Sequence, residues 1–207
     1  MEYMIFDTET TGLTAHDEIV EFAGFLVDDD LKLKSLYLCY CDTLVSYNAE
    51  AVKITGLDRK LIHQLSKGKF FEDYFLQYTE LWNKKDLTWV GYNVSFDIEK
   101  VKGTLQHNGY QYPDFGRKVV ALENEHGRYN FDLMQAVANL KNHGRRMKLQ
   151  QAVTRFCTKS EEQLKKEFDK IMQFANLQAA SGYHDALFDA FVTYNLFKDI
   201  SWALRIV

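Results

Sequence analysis

Proline and cysteine are scarce in this chain, which has one proline, Pro113, and three cysteines among its 207 residues. Cys39, Cys41 and Cys157 are odd in number and lack the paired Cys-x-x-Cys spacing of a structural zinc site. Side chains two apart on one strand make a poor disulfide, so Cys39 and Cys41 are expected to be free thiols. This cysteine usage fits a reducing cytosol, and we expect a cytoplasmic protein.

Long apolar runs and an excess of positive charge are also missing. We expect no membrane segment, because no apolar run is long enough to span a bilayer, and no secretory signal, because the short run from Glu2 to Phe6 lacks a basic flank. The net charge of −4 argues against a protein that coats long nucleic acid by bulk electrostatics. It remains compatible with a carboxylate site that binds phosphate through metal ions.

The hydrophobic pattern predicts an α/β fold with a single domain over residues 1–207. Five strands are predicted, which would form a mixed sheet flanked by helices: residues 3–6, 19–27, 32–41, 87–92 and a short strand near Val119 and Val120. Short helices are expected between Asn48 and Trp82, and longer ones at Ser95–His107, Phe131–Leu140, Leu149–Phe156, Glu161–Phe174 and Asp185–Leu204.

Two acidic residues, Asp7 and Glu9, lie at the end of the first predicted strand. Since side chains alternate along a strand, both carboxylates point to one face while Thr8 points to the other. Mg²⁺ and Mn²⁺ prefer such oxygen ligands, and two ions can clamp the attacking and leaving oxygens of a phosphodiester. Taken alone, the pair would favour the interpretation as a solvated strand end with two ordinary acids.

Asp97 opens the helix that follows the strand ending at Gly91. An isolated aspartate there is often only a partner of the helix dipole. Because strand-to-helix junctions of neighbouring strands gather at one edge of a sheet, however, Asp97 can join Asp7 and Glu9 in one cluster.

His184 and Asp189 bracket the start of the last predicted helix. In a regular helix, five residues would separate them by roughly 140°, on different faces. His184 is therefore predicted to precede the helix, with Asp185 as the N-cap. Without the other motifs, a structural histidine and a surface ion pair of Asp189 would be the better interpretation.

Together, these segments resemble the DEDDh branch of the DEDD exonuclease superfamily, which includes ribonuclease T and the proofreading subunit of bacterial DNA polymerase III. The resemblance lies in Phe6–Gly12, Asn93–Asp97 and His184–Asp189, and in Ile54–Leu57, which resembles the family segment that packs against the terminal nucleotide. It implies that substrate is contacted by Thr10, Gly12, Ile54, Thr55, Gly56, Leu57, Asn93 and Phe96.

The resemblance further implies a ribonuclease H-like fold and a 3′–5′ exonuclease that releases nucleoside 5′-monophosphates from nucleic acid with a free 3′ end. Asp7, Glu9, Asp97 and Asp189 would hold two divalent ions, Mg²⁺ or Mn²⁺, and His184 would be the general base. It leaves open whether the substrate is DNA or RNA, single strands or frayed ends, and whether a polymerase or a second copy of the chain is a partner.

The chain departs from the family pattern in three places. Tyr92 stands where many relatives have histidine, residues 161–180 make a longer connection than usual, and residues 117–129 match no known pattern. The charges of the connection (Glu161, Glu162, Lys165, Lys166 and Glu167) predict a solvated helix face rather than a partner-binding surface.

One cluster of basic residues is a candidate site for binding the phosphate backbone of the substrate. A solvated loop is an equally good interpretation of the same residues. It consists of Lys141, His143, Arg145, Arg146 and Lys148.

Other functions stay open at this stage. A non-cleaving ribonuclease H-like module that binds nucleic acid or a polymerase is the main rival, although the presence of every expected catalytic residue favours an enzyme. A phosphatase with an aspartyl nucleophile would want aspartate where Glu9 stands. An endonuclease of the ribonuclease H type is less favoured, because His184 before Asp189 is typical of end-trimming enzymes.

Overall fold

The computed structural model describes residues 1–119, 129–141, 144–175, 177 and 182–204, with the backbone alone at 119, 141 and 202–204. Within these ranges, six strands form one sheet in the order β3-β2-β1-β4-β6-β5. Their bounds are β1 Glu2–Thr10, β2 Ile19–Val27, β3 Leu33–Tyr40, β4 Leu87–Gly91, β5 Arg117–Val119 and β6 Tyr129–Asp132. Strand β2 runs antiparallel to β1 and β3, whereas β1, β4, β6 and β5 run parallel, so the predicted mixed sheet is confirmed.

The predicted number of five strands is wrong, because β6 was assigned to the helix expected from Phe131. Phe131 and Asp132 complete this strand, and the helix begins at Leu133. All four residues of β6 are buried, since the strand lies between two parallel neighbours. The strand has only four residues and runs directly into α6, so its short alternation was absorbed by the helical pattern. The strand expected near Val119 is the edge strand β5, while Val120 lies outside the described residues.

The helices lie close to their predicted positions. They are α1 Ala49–Thr55, α2 Arg59–Ser66, α3 Phe71–Gln77, α4 Thr79–Trp82, α5 Val94–His107, α6 Leu133–Lys141, α7 Leu149–Phe156, α8 Glu161–Ala175 and α9 Ala186–Leu204. The side chains of Asn48 and Asp58 cap α1 and α2 by accepting hydrogen bonds from backbone N–H groups of the first turn. Asp185 caps α9, because its Oδ1 accepts from the Phe188 N–H at 2.9 Å, and that prediction is confirmed.

Two hydrophobic cores lie on opposite faces of the sheet, which gives three layers. One core joins the sheet to α6, α7, α8 and α9, and the other joins it to α3, α4 and α5. Strand β1 contributes to both by alternation: Tyr3 and Ile5 enter the first core, and Met4 and Phe6 the second. The alternation places Asp7 and Glu9 on the face covered by α9 and Thr8 on the face covered by α5.

The surface follows the sequence in two further respects. Helix α8 buries Leu164, Phe168 and Met172, and its outer face carries the ion pairs Lys165–Glu161 at 3.3 Å and Lys166–Glu162 at 2.7 Å. The predicted solvated face is thus confirmed. All three cysteines are free thiols, as expected for Cys39 and Cys41. Among the described helices, none combines the length and the apolar character that crossing a membrane requires.

Candidate active site

Asp97 is hydrogen-bonded to the strand that carries Asp7 and Glu9. The N–H and the hydroxyl of Thr8 both donate to Asp97 Oδ1, at 3.1 Å and 2.8 Å. The parallel pairing of β1 with β4 makes this possible, because α5 starts just beyond the end of β4 and carries Asp97 in its first turn. Asn93 turns the chain between the strand and the helix with a left-handed φ of 75°. The structure therefore brings the second predicted segment to the first.

The start of α9 brings the third segment to the same place. His184 precedes the helix, as predicted, with a left-handed φ of 70°, and its N–H donates to Asp189 Oδ2 at 3.1 Å. Its imidazole is exposed, whereas Asp189 is nearly buried. Metal-ligating atoms of Glu9, His184 and Asp189 all lie within 4.8 Å of one another. A histidine and carboxylates from distant parts of the chain thus share one small space.

The carboxyl groups are crowded and poorly solvated, which makes their charged forms unfavourable. Burial, reinforced by repulsion from Asp97 and Asp189, holds the pKa of Asp7 well above its usual range. Burial and the charges of Asp189 and Asp97 raise the pKa of Glu9 to about 8. Burial raises the pKa of Asp97 to about 7, against the hydrogen bonds from Thr8. The pKa of Asp189 rises to about 7 for the same main reason, against the hydrogen bond from the His184 N–H.

The donor set fits a divalent cation. Asp189 Oδ1 is buried and has no hydrogen-bond partner among the described residues, so this oxygen is available to a further group. Carboxylate oxygens are the ligands that hard divalent cations prefer, and a cation would offset the mutual repulsion of the cluster. An arrangement of this kind can bind metal and, through the metal, phosphate.

Two buried carboxyl groups near the cluster were missed by the sequence analysis. Glu21 lies on β2 with Glu9 as its Cα partner on β1, and Asp132 ends β6, where Lys118 pairs with it at 2.7 Å. The signal for Glu21 was a single acid within nine otherwise uncharged residues, Ile19–Val27. Asp132 had no such signal, because its strand was not recognised.

Two of the predicted substrate contacts lie where β1 ends: Thr10 is its last residue, and Gly12 lies in the loop that follows. Lys100 is buried on α5, and its Nζ donates to the carbonyls of Gly12 at 3.0 Å and Thr14 at 2.6 Å. The Thr10 hydroxyl also donates to the Gly12 carbonyl, at 2.7 Å. A Cβ atom at Gly12 would lie 2.7 Å from the Asp17 carboxylate, so only glycine fits there without a shift. These bonds hold the loop in one conformation beside the cluster.

The other predicted substrate contacts lie at and just beyond the end of α1 and at the start of α5. Helix α1 is held at its start, where the Asn48 N–H donates to the Thr11 carbonyl at 2.8 Å, and it ends at Gly56 with φ 75°. Ile54 is 53% exposed, an unusual degree for a large apolar side chain, and the Thr55 hydroxyl bonds within its own helix. Leu57 is half-buried, like Asn93 and Phe96 on the other segment. Contact of these residues with a substrate stays a prediction.

Part of the predicted basic cluster lies near the end of β4. The Tyr92 hydroxyl donates to the Met147 carbonyl at 2.8 Å, which ties the segment around residue 147 to the turn between β4 and α5. Arg145, Arg146 and Lys148 are exposed in this segment. His143 and the side chain of Lys141 lie outside the described residues.

Comparison with known proteins yields one family. Residues 4–197 match the family model RNase_T, described as Exonuclease. A DNA polymerase III of the PolC type from Latilactobacillus sakei subsp. sakei (strain 23K) is 30% identical over 108 residues, which are 52% of this chain and 7% of that protein. The chain therefore spans a small fraction of this relative.

Solved structures with a similar fold include those of E. coli Exonuclease I. Its complex with a dT13 oligonucleotide gives a TM-score of 0.65 at 19% identity, covering 97% of this chain and 41% of that chain. The zinc-bound form of its complex with single-stranded DNA gives 0.64 at 21% identity, covering 99% and 41%. The expected ribonuclease H-like fold is thereby confirmed, and this chain spans less than half of Exonuclease I.

Proposed function

Because the chain belongs to the exonuclease family, whose model its residues 4–197 match, we propose that it is a metal-dependent 3′–5′ exonuclease. In this proposal, residues 1–207 form one domain that releases nucleoside 5′-monophosphates from single-stranded or frayed ends. The observation that carries it is the meeting of three distant segments, in which Thr8 holds Asp97 while Glu9, His184 and Asp189 lie within 4.8 Å of one another.

The four acidic side chains Asp7, Glu9, Asp97 and Asp189 would hold two divalent ions, Mg²⁺ or Mn²⁺. The Oδ1 of Asp189, which has no hydrogen-bond partner in the described part of the chain, and the raised pKa values of the cluster support this assignment. A zinc-bound complex of E. coli Exonuclease I, which shares the fold, is consistent with it. Bound there, the ions supply Lewis-acid polarisation of the phosphate and neutralise charge on the leaving oxygen.

The side chains of the protein orient the reaction and move the proton. His184 stands at the exposed edge of the cluster, where its imidazole accepts the proton of the water that attacks the terminal phosphodiester. Asp189 fixes the backbone of His184 by accepting its N–H, and Thr8 fixes Asp97 with two hydrogen bonds. The group that takes the proton is thereby set beside the carboxylates before substrate arrives.

The terminal nucleotide would lie against the end of β1 at Thr10 and the loop at Gly12, between Phe96 and the exposed Ile54. Exposed apolar side chains near a polar site are suited to pack against an unpaired base. Complexes of E. coli Exonuclease I with dT13 and dA16 oligonucleotides support single-stranded DNA as a substrate. The similarity to a segment of a PolC-type polymerase supports a polymerase as a partner, and a homodimer stays a prediction.

A non-cleaving module is the less favoured function. Such a module has no need of an exposed histidine held beside an unpartnered, buried carboxylate oxygen, and both are present here. The chain also has all five side chains of the proposed machinery, which supports an enzyme.

The test is digestion of 5′-labelled single-stranded DNA and RNA of one sequence, in Mg²⁺, Mn²⁺ or EDTA. We expect a ladder of products shortened from the 3′ end with either metal and intact substrate in EDTA. Circular single-stranded DNA is the matched control and should stay intact. Cutting of the circle would indicate an endonuclease, and tight binding without any product would support the non-cleaving module.

Replacing both Arg145 and Arg146 with alanine is expected to raise KM by about tenfold and leave kcat within about twofold, because phosphate contacts position the strand without taking part in chemistry. The dependence of KM on salt should flatten. The control is the double replacement of Lys165 and Lys166 by alanine, which removes the same charge from the outer face of α8. Equal effects of the two double variants would mean that only net charge matters.

A further inference from the structure

Glu21 is a carboxyl group in the interior of the sheet. It has no exposed surface, and the strand around it is apolar from Ile19 to Val27. Burying a carboxyl group is costly unless its oxygens find partners. The proposed mechanism assigns Glu21 no role, so its place in the core requires a reason.

The partners of Glu21 lie on both sides of its strand. Its Cα neighbours are Glu9 on β1 and Tyr40 on β3. Its Oε2 accepts a hydrogen bond from the N–H of Ala186, the first residue of α9, at 3.3 Å. Its Oε1 has no hydrogen-bond partner among the described residues. Glu21 thus connects the strand beside Glu9 to the start of α9.

The start of α9 is the part of the helix that carries the proposed chemistry. His184 precedes Ala186 by two residues, and Asp189 follows it by three. Within this turn, Asp185 accepts the N–H of Phe188 and Asp189 accepts that of His184, so the turn is rigid in itself. Those bonds do not set how far the turn lies from the sheet. The bond from Ala186 to Glu21 joins the turn directly to the strand beside Glu9.

We propose that Glu21 is a positioning residue, which holds the first turn of α9 at a fixed distance from β1 and so sets His184 and Asp189 opposite Glu9. The inference rests on the proposed function. Glu21 touches neither substrate nor metal in this role; it acts through the Ala186 N–H. Loss of the hydrogen bond between Ala186 and Glu21 is expected to lower metal affinity and turnover by about 10- to 100-fold, because residues that orient metal ligands have effects of this size.

The test compares Glu21→Ala, which removes the acceptor, with Glu21→Gln, which keeps an oxygen for the Ala186 N–H. Asn195→Ala is the control. Like Glu21, Asn195 is a buried polar residue, but it lies on α9 far from the first turn, where its side chain donates to the Phe191 carbonyl. Three quantities are measured on the full chain: hydrogen exchange of the Ala186 amide without metal, Mn²⁺ binding by calorimetry, and kcat at saturating Mn²⁺.

For Glu21→Ala we expect exchange at Ala186 to become at least about tenfold faster, with Mn²⁺ affinity and kcat each about tenfold lower. Glu21→Gln should stay within about threefold of the wild type in all three, since its oxygen can accept the same bond. Asn195→Ala should melt earlier than the wild type with all three quantities unchanged.

Three outcomes would overturn the inference. Glu21→Ala could keep wild-type exchange and Mn²⁺ affinity, Glu21→Gln could be as damaged as Glu21→Ala, or Asn195→Ala could lose kcat in the same proportion. A wild type that binds Mn²⁺ but shortens no strand would contradict the proposed function alone, because exchange and Mn²⁺ binding still decide the role of Glu21.

Discussion

Asp7→Asn is expected to lower exonuclease activity by at least about 1000-fold, the scale seen when one member of a catalytic unit is removed. The same change should raise the melting temperature of the metal-free protein at pH 8 by about 3 °C, which corresponds to about 1 kcal/mol for a chain of this length. Activity and stability should therefore change in opposite directions.

The gain in stability follows from the crowding of the carboxyl groups. Burial, then the charges of Asp97 and Asp189, hold the pKa of Asp7 well above its usual range, so its charged form is unfavourable in the folded protein. Asparagine has nearly the same shape and no charge, and it therefore relieves the repulsion without leaving a cavity. Strain of this kind is common where a site is built for a ligand rather than for stability.

The matched control is Asp17→Asn, in the loop that follows the same strand. Burial opposes the charge of Asp17, but hydrogen bonds from Thr14 and Thr11 outweigh it and lower the pKa of this carboxyl. Asp17→Asn should therefore lower the melting temperature. Thermal unfolding in EDTA at pH 8 and the digestion assay decide the matter. A loss of stability in Asp7→Asn, or retention of more than about one hundredth of the activity, would contradict the assignment of Asp7.

The sequence was informative about the site wherever local geometry and position in the chain were enough. Alternation along β1 placed Asp7 and Glu9 on one face, and the structure has them on the face covered by α9. The angle between successive helical residues required His184 to precede α9, as it does. Sheet geometry indicated that Asp97 can join Asp7 and Glu9. The resemblance to a family added what geometry could not, namely that the segment His184–Asp189 belongs with them.

Long-range pairing was the part that the sequence did not reveal. Strand β6 has only four residues and is followed at once by α6, so its short alternation did not separate it from the helix, and Asp132 was placed in a helix. The position of Glu21 opposite Glu9 depends on the register between β1 and β2, which no local pattern of the chain fixes. The hydrogen bond from Ala186 to Glu21 joins residues 165 positions apart, beyond the reach of any periodicity.

The raised pKa values also predict how stability depends on pH. In the folded, metal-free protein the pKa values of Asp97 and Asp189 are about 7 and that of Glu9 about 8, against ordinary pKa values of 3.8 for aspartate and 4.5 for glutamate. At pH values between the ordinary and the raised pKa values, the folded chain binds more protons than the unfolded chain. The free energy of unfolding therefore falls as pH rises through this range. The stabilisation from these three groups is complete below about pH 4 and is lost as pH passes through 7 and 8.

Metal should reverse this loss, because divalent cations bind the deprotonated carboxylates. We expect the melting temperature in EDTA to fall between pH 5 and pH 8, and 100-fold excess of Mn²⁺ over its dissociation constant to restore about 5–10 °C at pH 8. Each displaced proton makes Mn²⁺ affinity rise by about tenfold per pH unit, so the same Mn²⁺ concentration should do little at pH 5.

Thermal unfolding at four pH values, with EDTA or Mn²⁺, measures both effects, and Asp7→Asn should flatten them. A melting temperature in EDTA that rises from pH 5 to pH 8 would refute the proposed carboxylate site, since ionisation of the cluster would then favour folding.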